Sequence, residues 1–173
     1  MTQIGSVLNN ARCIQQRRWN LSPTEGFNKA VHDYVAWVNG DSSKGDALAE
    51  SVDVYNPGLA DGEVHGRAAY DSYIQELRAG LPDFHFTEEM SISRDDVVIV
   101  EFTITGTHDG ELKGIPPTGH QMELRGMEKF RVVNGKIEEM HAYFDTQEIP
   151  EQLGLTFPAV IGQLPKLVVR KVL

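Results

Sequence analysis

At 173 residues, with 40% apolar and 24% charged residues, the chain has the size and composition of one globular domain able to bury roughly 70% of its unfolded surface. Its formal net charge is -9 and its basic residues are scattered, apart from Arg17-Arg18 and a small C-terminal group, so no basic stripe exists to follow a nucleic-acid backbone. No apolar run reaches the roughly 18 to 20 residues of a membrane span, and a lone Cys13 with no charged-then-apolar leader points to the reducing cytoplasm.

Residues 1–20 are polar and mixed and read as an N-terminal arm, 21–155 as the domain, and 156–173 as an apolar C-terminal extension. Ser22-Pro23-Thr24-Glu25 combines a capping residue, a proline at the first helical position and a Glu three residues after the cap, which starts a helix. Phe27, Ala30, Val31, Tyr34, Val35, Trp37 and Val38 recur at helical spacing up to about Asn39, and Gly40 supplies a left-handed stop. Ala47 to Pro57 reads as a helical turn followed by a short strand or loop through Val52, Val54 and Tyr55. Gly66 to Ala79 carries Ala69, Tyr70, Tyr73, Ile74 and Leu77 at the helical period, and Gly80-Leu81-Pro82 ends it.

From Phe84 the period becomes two. Phe84, Phe86, Met90 and Ile92 alternate with polar residues up to a turn at Arg94-Asp95-Asp96, and Val97 to His108 is β-branched nearly throughout. Gln121 to Val133 alternates Met122, Leu124, Phe130 and Val132 with polar residues, and Asn134-Gly135 joins it by a two-residue hairpin turn to Lys136–Asp145. Helices followed by a four-stranded antiparallel meander make the fold class α+β. Gly106, Gly114, Gly119 and Gly126 fit the bending of a curved sheet.

Four groups of residues resemble a known family: Trp37-Val38-Asn39-Gly40-Asp41; Leu81-Pro82-Asp83-Phe84; Gly106-Thr107-His108 with Gly114-Ile115-Pro116-Pro117-Thr118-Gly119; and Asn134-Gly135-Lys136-Ile137 leading to Asp145 and Gln152-Leu153-Gly154. The pattern is similar to the SnoaL-like polyketide cyclases, within the superfamily of nuclear transport factor 2 and ketosteroid isomerase, over roughly residues 24 to 155. The resemblance implies a cone-shaped α+β barrel, a curved and mostly antiparallel sheet packed by two to three N-terminal helices around a pocket. It further implies intramolecular aldol ring closure of an apolar carbonyl compound with no metal or cofactor, Asp145 as acid/base, and a homodimer. The chain departs from the family where His141 takes the place of a usual Trp and where Glu138 and Glu139 precede it.

On an unbroken strand, Ile137, Glu139, His141, Tyr143 and Asp145 share one face, which would take Asp145 into the pocket beside His141 and Tyr143. A carboxylate among apolar walls is a stronger base, and a His or Tyr donor would hold the developing oxyanion. Asp145-Thr146-Gln147-Glu148 is equally a capping box for a C-terminal helix. His108, at the end of its strand, is either a proton donor to the product oxygen or a hydrogen-bonded anchor for the loop that follows. The candidate catalytic residues are thus Asp145, His108 and His141. Tyr34, Trp37, Tyr55, Tyr73, Phe86, Phe102, Phe130 and Tyr143 are candidates to line a pocket for a flat ligand.

Gly114 to Gly119 lacks the lysine and strand-to-helix context of a phosphate loop and reads as a turn at the pocket rim. No metal is expected, since His141 and Asp145 lie about 13 Å apart along a strand and no HExxH or CxxC motif occurs. Glu123, Arg125, Lys129 and Arg131 read as a solvated or interfacial sheet face. Leu164, Leu167, Val168, Val169 and Val172 would close the pocket or dock on a second subunit. Three readings stay open: a cyclase, a non-catalytic binding or assembly module, and an isomerase or epoxide-opening enzyme on the same fold.

Overall fold

The computed structural model describes residues 25–162 and 164. The arm over 1–20, the cap at Ser22-Pro23-Thr24 and the apolar run beyond 164 lie outside the described residues.

Helix α1 spans Glu25–Val38 and buries Ala30, Val31, Tyr34, Trp37 and Val38, the stripe its periodicity predicts. Gly40 ends it at φ 111°, a conformation that disfavours a side chain, while its N–H donates to the Trp37 carbonyl at 2.9 Å. A 3-10 turn over Ser42–Ala47 leads into strand β1 (Leu48–Tyr55), which settles the segment left between strand and loop. A short strand β2 (Glu63–His65), not foreseen from sequence, precedes helix α2 (Arg67–Gly80). Strands β3 (His85–Arg94), β4 (Val97–Thr107), β5 (Gln121–Val133) and β6 (Lys136–Phe144) follow, then the short helix α3 (Glu148–Gln152).

The sheet runs β2-β1-β6-β5-β4-β3. Strands β3 to β6 form the expected antiparallel meander, with Asn134 and Gly135 both at positive φ in the β5–β6 turn. The one parallel pairing sets β1 against β6. Because β2 and β3 stay at opposite edges, the expected cone takes the form of a curved, unclosed sheet. The buried side chains of α1 and α2 pack with Val98, Val100, Phe102, Phe130 and Met140 of the sheet in one continuous core.

Two β-bulges decide which side chains reach that core. In β6, Ile137 stands opposite Val132, but Glu139 stands opposite Arg131, so Glu138 is an extra residue. An extra residue reverses the alternation beyond it. Ile137 points inward, then Met140 and Ala142 do, while Glu139, His141 and Tyr143 turn to the outer face. In β3 the pairs Glu88 with Phe102 and Met90 with Glu101 make Glu89 the extra residue. Phe86 is therefore buried, and Met90 and Ile92, of the same parity, are exposed.

Candidate active site

The concave side of the sheet, α1, α2 and the loops at their ends enclose a cavity of about 200 Å³. Its walls are almost wholly apolar: Val38 from α1, Ile74 and Leu77 from α2, Phe86 and Ile104 from β3 and β4, Met122 and Leu124 from β5, and Phe144 at the end of β6. Asn56 and Gly58 from the loop after β1, Leu81 and Phe84 after α2, the Leu112–Ile115 loop and Ile149, Pro150, Leu153 and Leu155 add to the lining. Asn56 is tied down locally, its Oδ1 accepting the Gly58 N–H at 2.7 Å.

One polar cluster interrupts these walls. Glu128 occupies an inward position of β5 and is 3% exposed, with the Tyr34 hydroxyl 3.5 Å from its Oε1. The Tyr34 and Tyr70 hydroxyls are 2.9 Å apart, joining α1 to α2. Glu128 Oε2 has no hydrogen-bond partner among the described residues. Burial pushes the Glu128 carboxyl up to about 8, with the Tyr34 hydroxyl opposing the shift. The phenols respond in kind: burial, then the nearby Glu128, raises Tyr34, Tyr70 and Tyr73 well above the ordinary phenol range.

The sequence-derived candidates separate into three groups. Tyr34, Tyr73 and Phe86 line the cavity. Trp37, Phe102 and Phe130 do not; they are core side chains, Trp37 packed on Tyr34 and Tyr70, and Phe102 on Phe86. Tyr55, His141 and Tyr143 lie on the outer face of the sheet, where the Tyr55 and His141 rings stack 4.4 Å apart and His141 Nε2 meets Glu139 Oε1 at 2.8 Å. For His141 and Tyr143 the bulge at Glu138 is the physical reason, whereas Tyr55 alternates with the inward Val52 and Val54 of β1.

Asp145 also departs from the expected placement. Its carboxylate is exposed, is absent from the cavity lining, and accepts the Gln147 N–H through Oδ1 at 2.8 Å. The residues flanking its turn, Phe144 and Ile149, do line the cavity, so Asp145 stands at the rim with its side chain toward solvent. Its partner is Gln147, one residue short of the capping-box pattern, and the helix cap at Gln147 makes no side-chain bond.

His108 is fully buried but outside the cavity. Its Nδ1 lies 3.1 Å from Thr118 Oγ1 and faces the Thr118 N–H, while its backbone N–H and C=O bond His120 and Gly119. Burial lowers its pKa, with Asp109 the main opposing influence. The imidazole anchors the 108–120 loop, whose tip brings Leu112, Lys113 and Ile115 to the cavity. Among the described residues, no three His, Cys, Asp or Glu side chains converge where a cation would sit.

A family model, SnoaL-like polyketide cyclase, matches residues 19–153. The chain belongs to the SnoaL-like polyketide cyclase family. It is 30% identical over 115 residues to the nogalonic acid methyl ester cyclase of Streptomyces nogalater, covering 65% of this chain and 86% of that protein. It is 26% identical over 129 residues to the aklanonic acid methyl ester cyclase DnrD of Streptomyces peucetius, covering 72% and 89%. Among solved structures it is similar to IdmH from Streptomyces antibioticus, with a TM-score of 0.65, 26% identity and coverage of 74% of this chain and 98% of that one.

Within this member of the family, Glu128 and Tyr70 are the site residues that sequence reasoning did not single out. A signal for Glu128 was present. It shares the parity of Met122, Leu124, Phe130 and Val132, so it is the one acid on the apolar face of its strand.

Proposed function

We propose that the protein closes a ring in an apolar carbonyl compound held in the cavity, using acid/base chemistry of its own side chains and no cofactor. The observation that carries this reading is the cavity: apolar walls with polar groups gathered at one place suit a flat hydrophobic ligand whose oxygen must be oriented. The relatives named as methyl ester cyclases make nogalonic acid methyl ester and aklanonic acid methyl ester the first compounds to offer it.

In this reading a proton leaves a carbon next to a carbonyl, the resulting enolate carbon bonds a second carbonyl carbon, and the oxygen there takes up a proton. Asp145, the acid/base position implied by the family resemblance, takes the first proton and returns it to the new alkoxide. The reading is supported by its neighbours Phe144 and Ile149, which line the cavity, and it requires the Asp145 side chain to leave the Gln147 N–H and turn inward. The test is turnover of the two methyl esters by the purified protein and by Asp145→Asn. We expect Asp145→Asn to lower kcat by roughly 100-fold or more with ligand affinity retained. An unchanged kcat would remove Asp145 from the mechanism, and absence of both binding and turnover would sink the cyclase reading in favour of a binding module.

We also propose that the outer sheet face pairs with a second copy of the chain. Met90, Ile92, Ile99, Met127 and Tyr143 are all exposed there, on adjoining rungs of β3 to β6. The lone Cys13 suits a reducing compartment, and the proposal extends to the cytoplasm.

A further inference from the structure

Glu128 is an unusual residue for its position. Its inward neighbours on β5 are Leu124, Phe130 and Val132, and the residues opposite it are Val100 on β4 and Ala142 on β6. An apolar residue would serve the core better there, because a buried carboxyl with one oxygen unpartnered carries the full loss of its hydration. No cation among the described residues compensates. Glu128 has no ion pair among the described residues, and Lys113, the other charged residue of the cavity, donates to the Gly58 carbonyl and sits over the Tyr73 ring. The carboxyl nevertheless lines the apolar cavity, with Oε2 unpartnered among the described residues.

We infer that Glu128 is a catalytic residue of this cavity and that it works as a neutral acid, its Oε2–H and the Tyr34 hydroxyl forming a pair of hydrogen-bond donors for a carbonyl oxygen of the bound compound. This rests on the cavity being the site of ring closure, and is independent of the role given to Asp145. The arrangement supplies what the chemistry needs. As the carbon–carbon bond forms, electrons move onto the attacked carbonyl oxygen, and donors already fixed in a water-poor site stabilise that charge without reorganising. Tyr70 can donate to Tyr34 at 2.9 Å, so the Tyr34 proton, held only by the long 3.5 Å contact to Glu128 Oε1, is free to turn to the ligand oxygen when the compound binds. The Glu128 proton stays on Glu128 throughout, so no net proton transfer is assigned to it.

The carboxyl retains its proton because of where it sits: the groups facing it are Tyr34 from α1 and Tyr70 and Tyr73 from α2, all held neutral, and the cross-strand neighbours Val100 and Ala142 do not titrate. With its pKa at about 8, the donor is present at neutral pH and disappears above that value.

The experiment compares two probes of nearly one shape, 2-acetylnaphthalene and 2-isopropenylnaphthalene, a ketone and its hydrocarbon counterpart, titrated against the purified chain. The wild type should favour the ketone at pH 6, about tenfold of that preference coming from the Glu128 hydrogen bond, and should lose that tenfold by pH 9. Glu128→Gln, which keeps an N–H donor that does not titrate, should hold the preference at both pH values, and Glu128→Leu should lose the Glu128 tenfold at both, keeping only what the Tyr34 hydroxyl supplies, while still binding the hydrocarbon. A ketone preference undiminished in Glu128→Leu, or the same at pH 6 and pH 9 in the wild type, would overturn the inference. Methyl ester turnover without any ketone preference would overturn this inference alone, whereas ketone preference without turnover would overturn the proposed reaction alone. If neither probe binds the wild type, both fall.

Discussion

The Tyr34 hydroxyl lies 3.5 Å from Glu128 Oε1, a long contact that is the only hydrogen bond the buried carboxyl makes among the described residues. So weak a link leaves desolvation dominant, and the carboxyl keeps its proton to about pH 8. The unfolded chain releases that proton near 4.5, so between about pH 4.5 and pH 8 the folded state holds one proton more than the unfolded state. Stability therefore falls as pH rises through that window, by up to roughly 5 kcal/mol, and is flat with respect to this group above pH 8. Glu128→Gln should remove the slope. Urea denaturation at pH 6.5 and pH 8 checks it: a wild-type-minus-variant difference that does not change between the two pH values would refute a buried, raised carboxyl.

His108 titrates with the opposite sign. Burial lowers its pKa, so the unfolded chain takes up a proton near 6.5 while the folded chain does not. The contribution is complete above about pH 6.5 and is lost as pH falls below it. His108→Ala should also cost about 2 to 3 kcal/mol, since it empties a fully buried site and frees the Thr118 hydroxyl from its anchor. Limited proteolysis across 109–119 reads the loop directly. Cleavage no faster in His108→Ala than in the wild type would contradict the anchoring role.

Much of this architecture is legible in the sequence. The stripe of α1 and Gly40 behind it, the Asn134-Gly135 turn and the parity of β4 and β5 each have a local cause, and each reads correctly. What is not legible is the pair of bulges. Nothing in Glu89 or Glu138 marks it as the residue a strand leaves unpaired, because a bulge is set by how two curved strands fit and not by either strand alone. One missed residue in β6 carries His141 and Tyr143 to the outer face and Asp145 out of the expected row. Glu128 lies on β5 ahead of that shift, in unbroken phase with Leu124 and Phe130, which is why its inward placement follows from alternation.

Gly126 tests the packing around that strand. A Cβ there would stand 2.5 Å from the Tyr143 carbonyl oxygen and 2.6 Å from the Phe102 ring. The ring can yield slightly, but the carbonyl belongs to β6, which pairs with β5 at this level. Gly126→Ala should thus destabilise the protein by about 2 to 3 kcal/mol. Adding Phe102→Leu should not restore it, because the carbonyl clash persists. Thermal unfolding of the two variants decides the matter, and a double variant as stable as the wild type would show that the ring alone set the limit.

The outer face carries the last prediction. Ile92 pairs with Ile99, and Met127 with Tyr143, so the exposed apolar side chains form a patch across β3 to β6. Beside it, Lys129 and Arg131 meet Glu139 and Glu138, charges already neutralised within one copy and so placed to rim a two-fold interface. Sedimentation at micromolar concentration should give a dimer, and Met127→Glu combined with Ile99→Lys should give a monomer whose melting, followed at matched low concentration, is little changed. Both side chains are exposed in the single chain, so the substitutions have no folded contacts of consequence to break. A wild-type monomer under these conditions would refute the pairing, and a dimer indifferent to both charges would place the interface elsewhere on the molecule.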